Sequence, residues 1–220
     1  MCGISASFDI RILKDLIEVN DIRGNFSFSL TIIDPINNSI VAQHKSFYDD
    51  RKEILKYYKN RPDDALLYYI SHCQAPTSDT GLVKNFNRIH PASFRKSYLY
   101  HNGIIKDSSI NFMQNKVVND RADTWDTSLL LKSIETHGYS VLNSINGSFA
   151  CLLIEPEQIS VFRNLSSIIY YDKDLNISSI NFNGEMREFE PNTVFKLNLN
   201  TKALVKQYSF NSLDNNYAFV

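Results

Sequence analysis

A chain of 220 residues with 43% apolar and 21% charged side chains and a formal net charge of -1 suits one large globular domain, or at most two small ones. At this length a compact chain buries roughly 70% of its unfolded surface, so folding requires neither disulfides nor a metal. The near-neutral balance without a basic run leaves no electrostatic footprint for nucleic acid, and no apolar stretch approaches the roughly 18 residues of a spanning helix, so neither nucleic acid nor membrane is an expected partner.

Met1-Cys2-Gly3-Ile4 lacks the basic region, long apolar stretch and small-residue cleavage site of a signal peptide, and it reads as the mature start. Ile4 to Phe8 predicts a short strand. Ile10, Leu13, Leu16 and Ile17 then recur at helical spacing, which predicts a helix to about Val19. From Asn25 to Ile33 the chain alternates, with Phe26, Phe28, Leu30 and Ile32 opposite Ser27, Ser29 and Thr31, as a half-buried strand does. Pro35, Asn37 and Asn38 supply a turn into a second strand at Ile40 to Ala42. A modest helix over Arg51 to Lys59 and a buried strand over Leu66 to His72 follow, and Thr77 to Arg95 is polar and loop-rich. Ser97 to His101 predicts a strand ending at a tight Asn102-Gly103 turn. Asp126 to His137 carries a helical apolar stripe and ends at Gly138, a C-cap. From Phe149 onward short β-rich runs alternate with Asn, Asp and Gly turns as an antiparallel meander. The whole predicts a single α+β domain over residues 2–220, its sheets covered by helices.

Cys2 is the most informative position. Removal of Met1 would place a thiol and a free α-amine on one residue, with ordinary pKa values near 8.5 and about 7.7 to 8.0, so nucleophile and base would coincide without a histidine. The three cysteines, Cys2, Cys73 and Cys151, are odd in number and lack CxxC spacing, which argues against a disulfide scaffold or zinc site and for a reducing, cytoplasmic compartment. Cys73 and Cys151 sit in apolar strand contexts as core thiols. His72, His90 and His101 have no metal-ligand spacing. Asp172-Lys173-Asp174-Leu175-Asn176 begins like a calcium loop but lacks the glycine and closing glutamate, and reads as a turn. No metal or cofactor is expected.

Met1-Cys2-Gly3-Ile4, Arg23-Gly24, His72-Cys73-Gln74-Ala75-Pro76-Thr77, His90-Pro91, His101-Asn102-Gly103, Asp126 before its helix and Asn146-Gly147-Ser148-Phe149-Ala150, in that order, resemble the class II glutamine amidotransferases. The resemblance implies the four-layer αββα sandwich of the N-terminal-nucleophile hydrolases. It implies that Cys2 attacks the side-chain amide of glutamine and expels ammonia, leaving a thioester that water hydrolyses, while Asn102 and Gly103 stabilise the oxyanion. A side-chain amide and a backbone N–H at a strand end suit that task, although Asn-Gly is also an ordinary hairpin turn. Asp126 would hold the α-ammonium of glutamine; the position equally suits a first-turn helix acid, and Asp123 competes if the register shifts by three residues. Arg23 would stand beside the nucleophile, and Thr77 would hold the other end of the ligand.

Gln74 departs from the pattern, because the family places there an arginine that forks onto the α-carboxylate of glutamine. An amide lacks the charge and the planar five-donor geometry of a guanidinium, which leaves the carboxylate to another cation such as Arg88 or Arg95, or leaves a different substrate. The sequence therefore predicts a glutaminase that supplies ammonia to a separate synthase. The alternatives are an N-terminal-cysteine hydrolase of another amide and a catalytically idle binding or regulatory domain.

Overall fold

The computed structural model describes residues 2–47, 51–59, 66–75 and 85–213. Its strands, in chain order, are β1 (Gly3–Ser7), β2 (Ser27–Asp34), β3 (Ser39–Phe47), β4 (Tyr68–Gln74), β5 (Ala92–Phe94), β6 (Ser97–Ile105), β7 (Gly147–Glu155), β8 (Gln158–Arg163), β9 (Tyr170–Tyr171), β10 (Ile177–Ser178), β11 (Arg187–Glu188), β12 (Thr193–Asn198) and β13 (Ala203–Ser209). The helices are α1 (Ile10–Asn20), α2 (Arg51–Lys59), α3 (Asp107–Phe112) and α4 (Asp126–His137). One sheet has seven strands in the order β11-β9-β10-β1-β4-β2-β3, and the other has six, β13-β12-β8-β7-β6-β5. Every pairing is antiparallel.

Three apolar cores define the layers. Ile10, Leu13 and Ile17 of α1 and Tyr58 of α2 pack on Phe28, Leu30 and Ile32 of β2 and cover the outer face of the first sheet. Ile4, Ala6, Ile33 and Ile70 of that sheet meet Tyr100, Leu152 and Val161 of the second. Leu129, Leu130 and Ile134 of α4 close over Leu99, Phe149, Leu153 and Phe162 on the far side. The result is the expected α+β sandwich of helix, sheet, sheet and helix. Each sheet is thus covered on both faces, and that arrangement corrects one expectation. β2 is buried along nearly its whole length, because its Ser and Thr face turns toward the second sheet, where Thr31 Oγ1 meets Tyr100 Oη at 2.6 Å. A buried polar face is tolerated when its hydroxyls find partners.

Two further expectations are corrected. Asn102-Gly103 is not a turn: β6 runs through it, with Asn102 opposite Ala150 and Gly103 opposite Phe149. The C-terminal strands are not one meander either, since β7, β8, β12 and β13 join the second sheet whereas β9, β10 and β11 extend the first. The predicted α4 holds, closed by Gly138 at φ 66°, and α3 had no helical stripe to announce it. Among the described residues no helix is long and apolar enough to cross a membrane.

Candidate active site

Cys2 lies immediately before β1, beside the end of β4, where Gly3 pairs with Cys73. Its side chain is only 4% exposed, and Sγ sits 3.8 Å from the Ala75 carbonyl oxygen. Burial raises the thiol above its ordinary value; the Ala75 contact and the Arg23 charge act against that rise, and the Asp126 carboxylate adds to it. The resting group is therefore a thiol, and a nearby base must take its proton before it can attack.

Arg23 follows α1 in a short 3-10 turn, Asp21–Arg23. Its Nε donates to the Cys2 carbonyl oxygen at 2.8 Å and its Nη1 reaches the Ser179 carbonyl oxygen at 3.5 Å. The next residue must be small, because a Cβ on Gly24 would stand 2.5 Å from Ala75 N and from the Gln74 carbonyl carbon. The Arg-Gly pair thus lets one loop press against the end of β4 while the guanidinium fixes the backbone of Cys2.

Asn102 is 2% exposed, and its Nδ2 donates to Ser179 Oγ at 3.3 Å. That hydroxyl also accepts from Ile4 N at 2.9 Å, so Ser179 ties β1 to the amide of Asn102. Nothing in the sequence pointed to Ser179, one of two serines in a β-rich run. Gly103 has φ 150°, and a Cβ there would lie 2.0 Å from the Ser148 carbonyl oxygen. Only glycine fits that register.

Asp126 opens α4. Its Oδ1 accepts from Thr127 N at 2.7 Å, the first-turn arrangement that its position allows, and its Oδ2 accepts weakly from Ile105 N at 3.4 Å. The carboxylate also lies 3.8 Å from His101 Nδ1. Thr127 Oγ1 is a hub: His90 Nε2 and His101 Nδ1 each approach it at 3.1 Å, and it lies 3.2 Å from Asp126 Oδ1. His72 stacks on His90 with centroids 4.1 Å apart, and Trp125 meets His90 edge-on at 5.2 Å. The three histidines, widely spaced in sequence, form one buried wall behind Asn102 and Asp126. Burial pushes His72 down to about 3 and His90 well below its ordinary value, so both rings are neutral. Among the described residues no group of three or more His, Cys, Asp or Glu side chains is arranged to hold a metal.

Gln74 does not face a ligand with its amide. Its Oε1 accepts from Ser27 Oγ at 3.0 Å and from His90 N at 3.3 Å, and its Nε2 donates to the Arg88 carbonyl oxygen at 3.0 Å. The side chain is a clip holding the 3-10 turn Phe86–Arg88 against β2 and β4. An arginine could replace the donor but neither acceptor function. Gln74→Arg is accordingly expected to cost about 2 kcal/mol through two donors left without an acceptor, and to leave the KM for glutamine no lower. Urea denaturation and steady-state kinetics check this; unchanged stability with a lower KM would restore the carboxylate fork.

The other candidates are placed as follows. Asp123 pairs with Lys132 at 2.7 Å and accepts from Trp125 N at 3.0 Å, so its carboxylate is spent on the approach to α4. Thr77 lies outside the described residues. Asp172 accepts from Asp174 N at 2.9 Å and Asn176 N at 3.0 Å and forms the expected turn. Cys73 and Cys151 are buried free thiols, both raised mainly by that burial.

No family model and no curated protein sequence matches the chain significantly. Solved structures do. A glutamine phosphoribosylpyrophosphate (PRPP) amidotransferase from B. subtilis superimposes with a TM-score of 0.67 at 15% identity, over 94% of this chain and 49% of that one. A structure described as the allosteric regulatory enzyme of purine biosynthesis gives 0.69 at 16% identity, over 96% of this chain and 50% of that one. A glutamine aminotransferase class-II domain protein from Silicibacter pomeroyi gives 0.53 at 11% identity, over 96% and 99% of the two chains. The chain thus spans about half the length of the first two. What the likenesses establish is the fold, an α+β αββα sandwich shared with these solved structures.

Proposed function

We propose that this protein hydrolyses the side-chain amide of glutamine through Cys2 and delivers ammonia to an acceptor synthase. The observation that carries this reading is the convergence on Cys2: a buried thiol at the start of β1, its backbone held by Arg23, with Asn102 joined to the same strand through Ser179. In this reading Met1 is removed, and the Cys2 α-amine takes the thiol proton as sulfur attacks the amide carbon. The oxyanion is met by Asn102 Nδ2 and the Gly103 N–H. The latter points to the same strand edge as the N–H of Ile105, two residues on, which reaches Asp126, since alternate N–H groups of a strand share a direction. The α-ammonium returns a proton to the leaving ammonia, and water hydrolyses the thioester to glutamate. Asp126 holds the substrate ammonium, a charge-assisted contact suited to a half-buried carboxylate. A reducing cytoplasm suits a mechanism that needs a free thiol.

The test is an intact-mass measurement after incubation with a diazo-ketone analogue of glutamine. One adduct on a chain lacking Met1, absent in Cys2→Ser together with ammonia release, is the expected outcome. A protein that keeps Met1 and still turns over glutamine at full rate would overturn it. The clip made by Gln74 favours a second reading, a hydrolase of an amide whose carrier bears no α-carboxylate at that position. Labelling by a simple amide-like electrophile but not by the glutamine analogue would select it.

A further inference from the structure

Beside the candidate active site, an open cleft of about 260 Å³ is lined by β3, the 86–88 turn, β5 and the start of α4. Lys45 and Arg88 line it, together with Trp125 and Asp123. We propose that this cavity binds a small anion, a carboxylate or a phosphate, between Lys45 and Arg88.

The first argument is charge. Lys45 rises from β3 and donates to the carbonyl oxygens of Ile89 at 2.9 Å and Pro91 at 2.6 Å. These two contacts fix the ammonium and leave its third N–H. Among the described residues neither Lys45 nor Arg88 forms an ion pair. The single lining carboxylate, Asp123, is already matched by Lys132 at 2.7 Å. Partial burial without a counter-charge lowers Lys45 to about 8, so an anion in the cavity would supply the partner its own lining lacks.

The second argument is preorganisation. Gln74 holds the Arg88 carbonyl and the His90 N–H, and the Arg88 guanidinium donates to Thr124 Oγ1. The cation at position 88 is therefore mounted on the side chain that replaces the arginine expected at 74. Asn85 and Ser93 add neutral groups able to donate hydrogen bonds to anion oxygens, and Trp125 closes one wall. A rigid fork with a fixed ammonium is the usual chemistry of small-anion recognition. Cys2 does not line the cavity, so the proposal stands apart from the thioester reading.

Trp125 is the only tryptophan in the chain, which makes intrinsic fluorescence a direct reporter. The full chain is titrated with inorganic phosphate and, separately, with L-glutamate, at constant ionic strength held by chloride, with calorimetry in parallel. A saturable signal is expected with a dissociation constant on the order of 1 mM or tighter. It should weaken at least about tenfold in Arg88→Gln and in Lys45→Met and persist in Cys2→Ser. The anion that saturates at the lower concentration identifies the source, a free phosphate or a carboxylate of an amino-acid substrate. Arg88 is exposed, so Arg88→Gln should fold normally, as an unchanged thermal midpoint would verify. Absence of a saturable response to either anion by both methods overturns the proposal, as does wild-type affinity in both variants.

Discussion

Replacing Asn102 by alanine should lower kcat for ammonia release from glutamine by about 100-fold to 1,000-fold, the usual cost of one oxyanion donor, while KM shifts by less than about threefold. The asymmetry follows from when the contact strengthens. The amide oxygen of bound glutamine would carry little charge and the tetrahedral oxygen a full one, so in the proposed role the Asn102 amide would stabilise the transition state more than the ground state. The fold should survive, because Asn102 sits within β6 opposite Ala150 and its loss leaves Ser179 Oγ still bonded to Ile4 N. Ser179→Ala tests the same idea from one step away: it removes the acceptor that orients the Asn102 amide and should lower kcat by a smaller factor, roughly tenfold. Unchanged turnover in Asn102→Ala would leave the residue a buried strand amide and take the oxyanion assignment with it.

The strand periods and the α4 stripe were legible in the sequence because they depend on local alternation. Burial on both faces was not legible from β2 alone. Ser27, Ser29 and Thr31 look like a solvent face until the second sheet arrives and Tyr100 meets Thr31. Asn-Gly is a turn signal in isolation, yet here a glycine is required inside a strand by the approach of the Ser148 carbonyl, a contact 45 residues distant in the chain. Cys2, Arg23, Asn102 and Asp126 stood out by type and order. Ser179 and Thr127 did not, since a serine or threonine that organises a site through its hydroxyl differs in no local way from one that faces water. Gln74 was visible as a departure, but its three hydrogen-bond partners lie on two other segments, so its use as a clip could be found only in the fold.

Acidification should destabilise the protein steeply because of the buried histidine wall. His72 and His90 titrate in the unfolded chain near 6.5, whereas in the fold burial lowers the first to about 3 and the second well below that ordinary value. A depressed folded pKa means that the unfolded state binds more protons below pH 6.5; the stabilisation is complete above that point and is lost as pH falls toward the folded values. At a pH of about 5 the deficit for His72 is roughly 1.5 pH units, or about 2 kcal/mol, a large share of an ordinary domain's stability, and the lowered His90 acts in the same direction. The rings cannot relieve this by protonating in place. Both Nδ1 atoms are buried without a hydrogen-bond partner, the rings stack at 4.1 Å, and the Lys45 charge opposes protonation of His90. Urea midpoints compared at pH values of about 7 and about 5 should therefore differ by the equivalent of at least about 2 kcal/mol. His90→Gln should start from lower stability and show a smaller pH dependence. A wild-type midpoint that does not move between those pH values would mean that the two rings are charged or solvated in the native state. Thr127 Oγ1 is shared by His90, His101 and Asp126, so opening this wall should also displace the carboxylate assigned to the substrate ammonium, and ammonia release should fall within the same acid window as stability.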